Sequence, residues 1–295
     1  MPVIAEQVSI TVDNILVATD FSMVSHKALA YAKALTRRFG STLEVVNVFD
    51  PANVITYEEA IMGFPADYRQ RAAAENLEAL EYELSADGIK AEAVTATGHQ
   101  PTKEILALAK THAAGLIVAG AHAKSGLEKM ILGSTSEELI RSAECPVLTV
   151  GPLARDPNED PLVFRSILYA TDLSPQAARA AVYAFSFAED SNAKLHCCFV
   201  AKNQPEDPAQ REAGCEIAMK ALQSMIPEDV YDWCDPKCVV ASGDPAEAIL
   251  NLAARVDADL IVVGSRRSSF WLKHVERGLT PRLLAEATCP ILSIS

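Results

Sequence analysis

The segment ILVATDFS, Ile15 to Ser22, returns 152 residues later as ILYATDLS, Ile167 to Ser174. Leu116-Ile117-Val118-Ala119-Gly120 and Cys145-Pro146-Val147-Leu148 also recur, as Leu260-Ile261-Val262-Val263-Gly264 and Cys289-Pro290-Ile291-Leu292, now 144 residues on. An internal repeat of this length means that one fold is built twice, so an account of one half has to suit the other. The offsets differ because the second copy is eight residues shorter in its middle. Between the copies, GPLARDPNEDP from Gly151 to Pro161 is rich in proline and acid and lacks apolar periodicity, as a linker does. The expected division is a first domain over 1–151, a linker over 152–162 and a second domain over 163–295.

Within each half, short apolar runs alternate with helical spacing. In the first, strands are expected at Asn14 to Thr19, Thr42 to Val48, Lys90 to Thr95, Leu116 to Ala119 and Pro146 to Val150. Apolar residues at helical spacing stand at Ala28, Ala32, Leu35 and Phe39, at Leu77, Leu80 and Leu84, and again after Pro101. Runs such as VVNV and LIVA are continuously apolar, the pattern of parallel strands covered by helices on both faces. The chain therefore reads as α/β, with two tandem doubly wound domains, each a five-stranded parallel sheet flanked by helices. Ser174-Pro175 and Asp244-Pro245 each put a capping side chain before a proline at the first helical position, which marks two helix starts.

The apolar fraction of 49% against 22% charged residues is enough for packed cores in a soluble globular protein. Glu6 and Asp13 interrupt the N-terminal stretch where a signal peptide would be apolar, and no run approaches the ~18 apolar residues of a membrane span. The expectation is a cytoplasmic protein with no membrane partner. A net charge of −13 argues against nucleic acid, which requires a basic face, but leaves room for a small anion held by a local field. Seven scattered cysteines suit a reducing compartment, and Cys234-x3-Cys238 lacks a second ligand pair, so it is read as two buried thiols and no metal is expected.

The loop after the fourth strand carries the chemistry. In a doubly wound sheet, ligands sit beyond the carboxyl ends of the strands where strand order reverses, and Asp20, Val48 and Gly120 all fall at such ends. Glycines there allow positive φ and close approach to an anion. Gly133-Ser134-Thr135 opens a helix whose first amides lack helical partners, and those amides with the helix dipole favour a phosphate. These residues resemble the universal stress protein family. Its nucleotide-binding members carry Gly, two residues, Gly, nine residues, Gly and Ser/Thr after the fourth strand, with Thr-Asp after the first and valine ending the second. The resemblance covers nearly the whole chain, twice, as in tandem members, and implies an adenine nucleotide alpha hydrolase-like fold.

The resemblance implies that Asp20 and Val48 contact the adenosine end of ATP, that Gly120, Gly133, Ser134 and Thr135 hold its phosphates, with or without magnesium, and that Thr19 and Ala123 belong to the same site. Ala123 stands where the second glycine belongs; forced into a left-handed conformation it would cost about 1–2 kcal/mol, roughly tenfold or somewhat more in affinity. In the second half, Asp172, Val200 and Gly264 match, but Arg267 and Arg277 occupy the glycine positions, with Gly278 shifted by one and Pro281 following. That half is expected to be degenerate. Asp20 and Asp172 also have a plainer account, as side chains satisfying turn amides, and Ser134-Thr135 as a cap.

The basic cluster Arg266, Arg267, Lys273, His274 and Arg277 reads first as a solvated loop and second as an anion site. Phe270 and Trp271 are expected at a domain or subunit contact. His99 and His122 border the pocket without a partner nearby in sequence. No catalytic motif is present, so no enzyme is expected beyond slow incidental ATP hydrolysis. Family members pair through their last strands, which puts Val147 to Val150 beside Ile291 to Ile294, within the chain, with homodimerisation of the tandem to follow. The implied function is a nucleotide-responsive regulator or interaction module in stress adaptation. Its rivals are a protein acting through dimerisation surfaces without nucleotide, and an adenine-nucleotide enzyme of the wider group, which would want a Ser-Gly-Gly-like loop after the first strand.

Overall fold

A computed structural model describes residues 12–51, 66–121, 123–124, 131–202, 205–264 and 279–295. The first half runs β1 (Asn14–Ala18), α1 (Met23–Phe39), β2 (Thr42–Phe49), α2 (Ala66–Ala86), β3 (Ala91–Thr97), α3 (Pro101–Thr111), β4 (Leu116–Gly120), β5 (Ala123–Lys124), β6 (Ile131–Leu132), α4 (Ser134–Ser142) and β7 (Val147–Val150). The second runs β8 (Ser166–Thr171), α5 (Pro175–Ser191), β9 (Lys194–Ala201), α6 (Pro208–Ser224), α7 (Val230–Trp233), β10 (Lys237–Ser242), α8 (Pro245–Arg255), β11 (Leu260–Gly264), α9 (Leu279–Glu286) and β12 (Ile291–Ile294). The expected strands are all present with ends moved by one or two residues. The short antiparallel pair β5–β6 was not anticipated.

Both halves contribute five parallel strands to one ten-stranded sheet, ordered β10-β9-β8-β11-β12-β7-β4-β1-β2-β3. At its centre β7 and β12 run antiparallel, with Leu148 opposite Leu292, so the expected pairing of last strands occurs inside the chain. Within each half, strand order reverses between the first and fourth parallel strands, β1 beside β4 and β8 beside β11. β1, β4, β8 and β11 are buried nearly end to end, which explains their unbroken apolar sequence.

Helices are positioned by caps as well as by apolar stripes. Ser22 caps α1 by accepting from the Ser25 amide, and Gly40 ends it at φ 67°. Its buried stripe Ala28, Ala32 and Leu35 lies on the sheet. The starts expected at Ser174 and Asp244 are found, each side chain accepting an amide of its own helix, from Ala177 and Glu247. One apolar cluster spans both halves on the α1 and α5 face, where Phe187 makes edge contacts with Phe39 and Phe164, each at 5.8 Å between ring centres.

The linker is strapped between the halves. Lys27 Nζ donates to the carbonyls of Pro152 at 3.2 Å and Ala154 at 2.7 Å, and the Tyr31 hydroxyl donates to that of Arg155 at 3.0 Å. Arg155 in turn pairs with Asp257 at 2.7 Å and donates to the Ala258 carbonyl at 2.9 Å, reaching the loop before β11.

Candidate functional site

The reversal between β1 and β4 gathers several of the expected residues. Thr19, buried just beyond β1, donates to Ser25 Oγ at 3.2 Å and accepts from the Phe21 amide at 3.1 Å. Asp20 is exposed and accepts from the Ser22 amide at 3.1 Å, an Asx turn leading into α1. Between them Phe21 takes φ 60°, a left-handed conformation that side chains with a Cβ seldom hold. From the neighbouring strand Asn47 Nδ2 donates to the Thr19 carbonyl at 2.8 Å, and half-buried Val48 follows it at the end of β2.

On the other side of the reversal, Gly120 ends β4. A Cβ there would lie 2.9 Å from the carbonyl carbon and oxygen of Val24 and 3.0 Å from the Ser25 amide nitrogen. Its φ is not in the left-handed region, so the glycine is required by the close approach of α1 to β4, independently of any ligand. Ser136 Oγ donates to the Gly120 carbonyl at 2.8 Å, which ties the first turn of α4 to the end of β4. Gly133 caps that helix with φ −59° and no side-chain cap bond. The first amide bonded inside the helix is that of Glu137, to the Gly133 carbonyl at 3.2 Å, so the amides of Ser134, Thr135 and Ser136 precede it. Ser134 is exposed and Thr135 half-buried.

Two readings of the loop need correction. Gly133 does not use positive φ, because the cap position is extended and any residue adopts it. Ala123 carries no left-handed penalty, because it lies in β5 with an extended backbone, paired with Leu132 of β6. The supposed loss of roughly tenfold in affinity therefore has no basis at that position. His122 lies outside the described residues.

Sequence reasoning missed Ser25, Asn47 and Ser136, whose hydroxyl and amide groups knit β1, β2, β4, α1 and α4 together. Ser22-x-x-Ser25 was legible as a capping spacing; Asn47 and Ser136 had no signal, since their partners are distant in sequence. His99 finds a partner distant in sequence: its Nδ1 lies 2.8 Å from Asp50 Oδ1, at the ends of β3 and β2.

The second half repeats the turn and lacks the bridge. Leu173 takes φ 60°, Thr171 accepts its amide at 3.0 Å and Asp172 accepts the Ser174 amide at 3.0 Å. A Cβ on Gly264 would lie 2.9 Å from Ala177 Cα, the same helix-on-strand approach as at Gly120. Ala177 stands where the first half has Ser25 and Phe199 where it has Asn47, both at the repeat offset of 152. Val200 stands one residue before the end of β9, half-buried. Arg266, Arg267, Phe270, Trp271, Lys273, His274, Arg277 and Gly278 lie outside the described residues, and Pro281 falls in the first turn of α9. Cys234 and Cys238 are half-buried rather than buried, and no group of metal-binding side chains occurs among the described residues.

A sequence model of the universal stress protein family matches residues 11–151 and again residues 164–295. The chain belongs to the universal stress protein family. It is similar to universal stress protein YxiE of Bacillus subtilis, 36% identical over 47% of this chain and 98% of that protein. It is also similar to universal stress protein MJ0531 of Methanocaldococcus jannaschii, 30% identical over 46% of this chain and 81% of that protein. A crystal structure of a universal stress protein from Archaeoglobus fulgidus superposes with a TM-score of 0.71 and 22% identity, covering 96% of this chain and 98% of that one, which shows a shared tandem fold. No helix among the described residues is long and apolar enough to cross a membrane.

Proposed function

We propose that this universal stress protein binds ATP, with or without magnesium, where strand order reverses in its first half, and acts as a cytoplasmic nucleotide-responsive regulator or interaction module in stress adaptation. The observation that supports this reading is the convergence of Asp20, Val48, Gly120 and the start of α4 on one end of the reversal between β1 and β4. The carboxyl ends of β1 and β2 provide the adenosine side. Amides at the start of α4, with the helix dipole, provide a favourable field for phosphates. The polar bridge of Thr19, Ser25 and Asn47 is confined to this half, which favours it over its copy. ATP bound at this end of the sheet would shift the chain toward one surface arrangement. Turnover is slow and incidental, and the catalytic residues are none. Dimerisation of the tandem uses a surface other than β7 and β12, whose facing edges are occupied by each other.

Calorimetric titration with ATP tests the site. Ser134→Glu sets a carboxylate against the phosphates while suiting the helix N-terminus, so it should weaken binding tenfold or more without loss of fold. Asp20→Ala should weaken binding and Asp172→Ala should not. Equal affinity across wild type, Ser134→Glu and Asp20→Ala would sink the assignment.

A second reading, in which the protein works through its surfaces without nucleotide, draws on Gly120 and Asp20 having structural tasks of their own. No heat and no thermal shift with millimolar ATP would favour it.

A further inference from the structure

All seven cysteines are free thiols, and two of them face each other. Cys197 on β9 and Cys238 on β10 are direct register partners on adjacent parallel strands. Neighbouring strands run about 4.7–4.9 Å apart, within the ~4.4–6.8 Å between Cα atoms that a disulfide spans. Both side chains belong to the same face of the sheet, in the cluster shared with α6. β10 is an edge strand of the sheet, bonded to a neighbour on one side only, so a new covalent link to β9 meets no second strand beyond it.

The two sulfurs differ in access. Cys197 is 1% exposed whereas Cys238 is half-buried. The neighbouring Cys197 holds Cys238 below the usual thiol range, while Cys238 and burial together push Cys197 well above it. Burial pushes the other enclosed thiols up, to about 11 for Cys145 and Cys198 and about 12 for Cys289. Cys238 alone is lowered among these, and the thiolate is the reactive form. The corresponding register pair in the first half is Val45 with Ala93, so packing at this point of the fold does not call for sulfur.

We propose that Cys197 and Cys238 form a reversible dithiol–disulfide site oxidised by small aliphatic disulfides. The Cys238 thiolate attacks one sulfur of the disulfide RS–SR, forming a mixed disulfide on Cys238 and releasing RS⁻. Cys197 then gives up its proton and its sulfur attacks Cys238 Sγ, expelling a second RS⁻. Two protein thiols are oxidised to one disulfide by two electrons, the small disulfide is reduced to two thiols, and the reaction reverses under excess thiol. The link clamps the edge strand β10 to β9.

The test uses the full chain, reduced, desalted and incubated with oxidised glutathione in native buffer, then alkylated and digested without reductant for mass spectrometry. The expected result is a peptide pair joined through Cys197 and Cys238, two fewer titratable thiols, unchanged far-ultraviolet circular dichroism and full recovery with dithiothreitol. Cys197→Ser should leave Cys238 carrying a persistent glutathione adduct, and Cys198→Ser should still form the link. Any of three outcomes overturns the proposal: both thiols remaining alkylatable, a link that uses Cys234 instead, or a link that forms only as the circular dichroism is lost.

Discussion

Glu44 is a carboxylate buried in an apolar strand, and among the described residues only one of its oxygens has a partner: Oε2 lies 2.8 Å from His112 Nδ1. Burial raises its pKa above the ordinary 4.5 despite the opposing contact with His112. The folded state therefore holds this proton more tightly than the unfolded chain does. Stability tied to the group is present below pH 4.5 and is drawn down as pH rises through the elevated folded-state value. Glu44→Gln should flatten that part of the profile and make the protein relatively more stable at neutral pH; parallel urea titrations across pH with the same slope in both proteins would refute this. The raised carboxylate was invisible in the sequence, where Glu44 looked like one polar residue in the strand VVNV region. Its partner is 68 residues away, at the end of α3.

At the scale of elements, strands and capped helices were legible because their signals are local. Continuous apolar runs, Ser174-Pro175 and Asp244-Pro245 each carry their reason within a few residues. Gly120 was legible as special and its reason was not, because the reason is α1 lying against the end of β4, a tertiary relation. The same holds for Ala123, whose conformation is set by pairing with β6 rather than by a turn. Gly120→Ala should destabilise the nucleotide-free protein by about 1–3 kcal/mol, since the atoms met at 2.9 Å are backbone and have little freedom to yield. Denaturant midpoints measured without ATP would settle it, and an unchanged midpoint would mean that the helix moves aside. The candidate site was legible as positions on strand ends, and the hydroxyl bridge that unites them was not.

The whole molecule is a pair of like halves joined across β7 and β12, and its near-symmetry axis carries an asymmetric contact. Arg38 Nε lies 2.6 Å from Asp190 Oδ2, its Nη2 donates to the Asp190 carbonyl at 2.7 Å and its Nη1 to the Leu162 carbonyl at 2.9 Å. Residues 38 and 190 are separated by 152, the repeat offset, so each is the other's counterpart. Two copies of the first half placed together would set Arg38 against Arg38, and two of the second would set acid against acid. The pair is partly exposed, so its own contribution is modest, ~1 kcal/mol or less. Arg38→Asp should nevertheless destabilise more than Arg38→Ala, and the double swap Arg38→Asp with Asp190→Arg should recover part of the loss in denaturation. Additive effects in the double variant would show that the contact is incidental.

Because the central junction is made within a single polypeptide, the two halves are always present in a ratio of one to one. Change in the later copy is never diluted by assortment with unaltered partners. A chain built this way can let one half drift toward a new task while the other keeps the old one, with the stoichiometry guaranteed by translation.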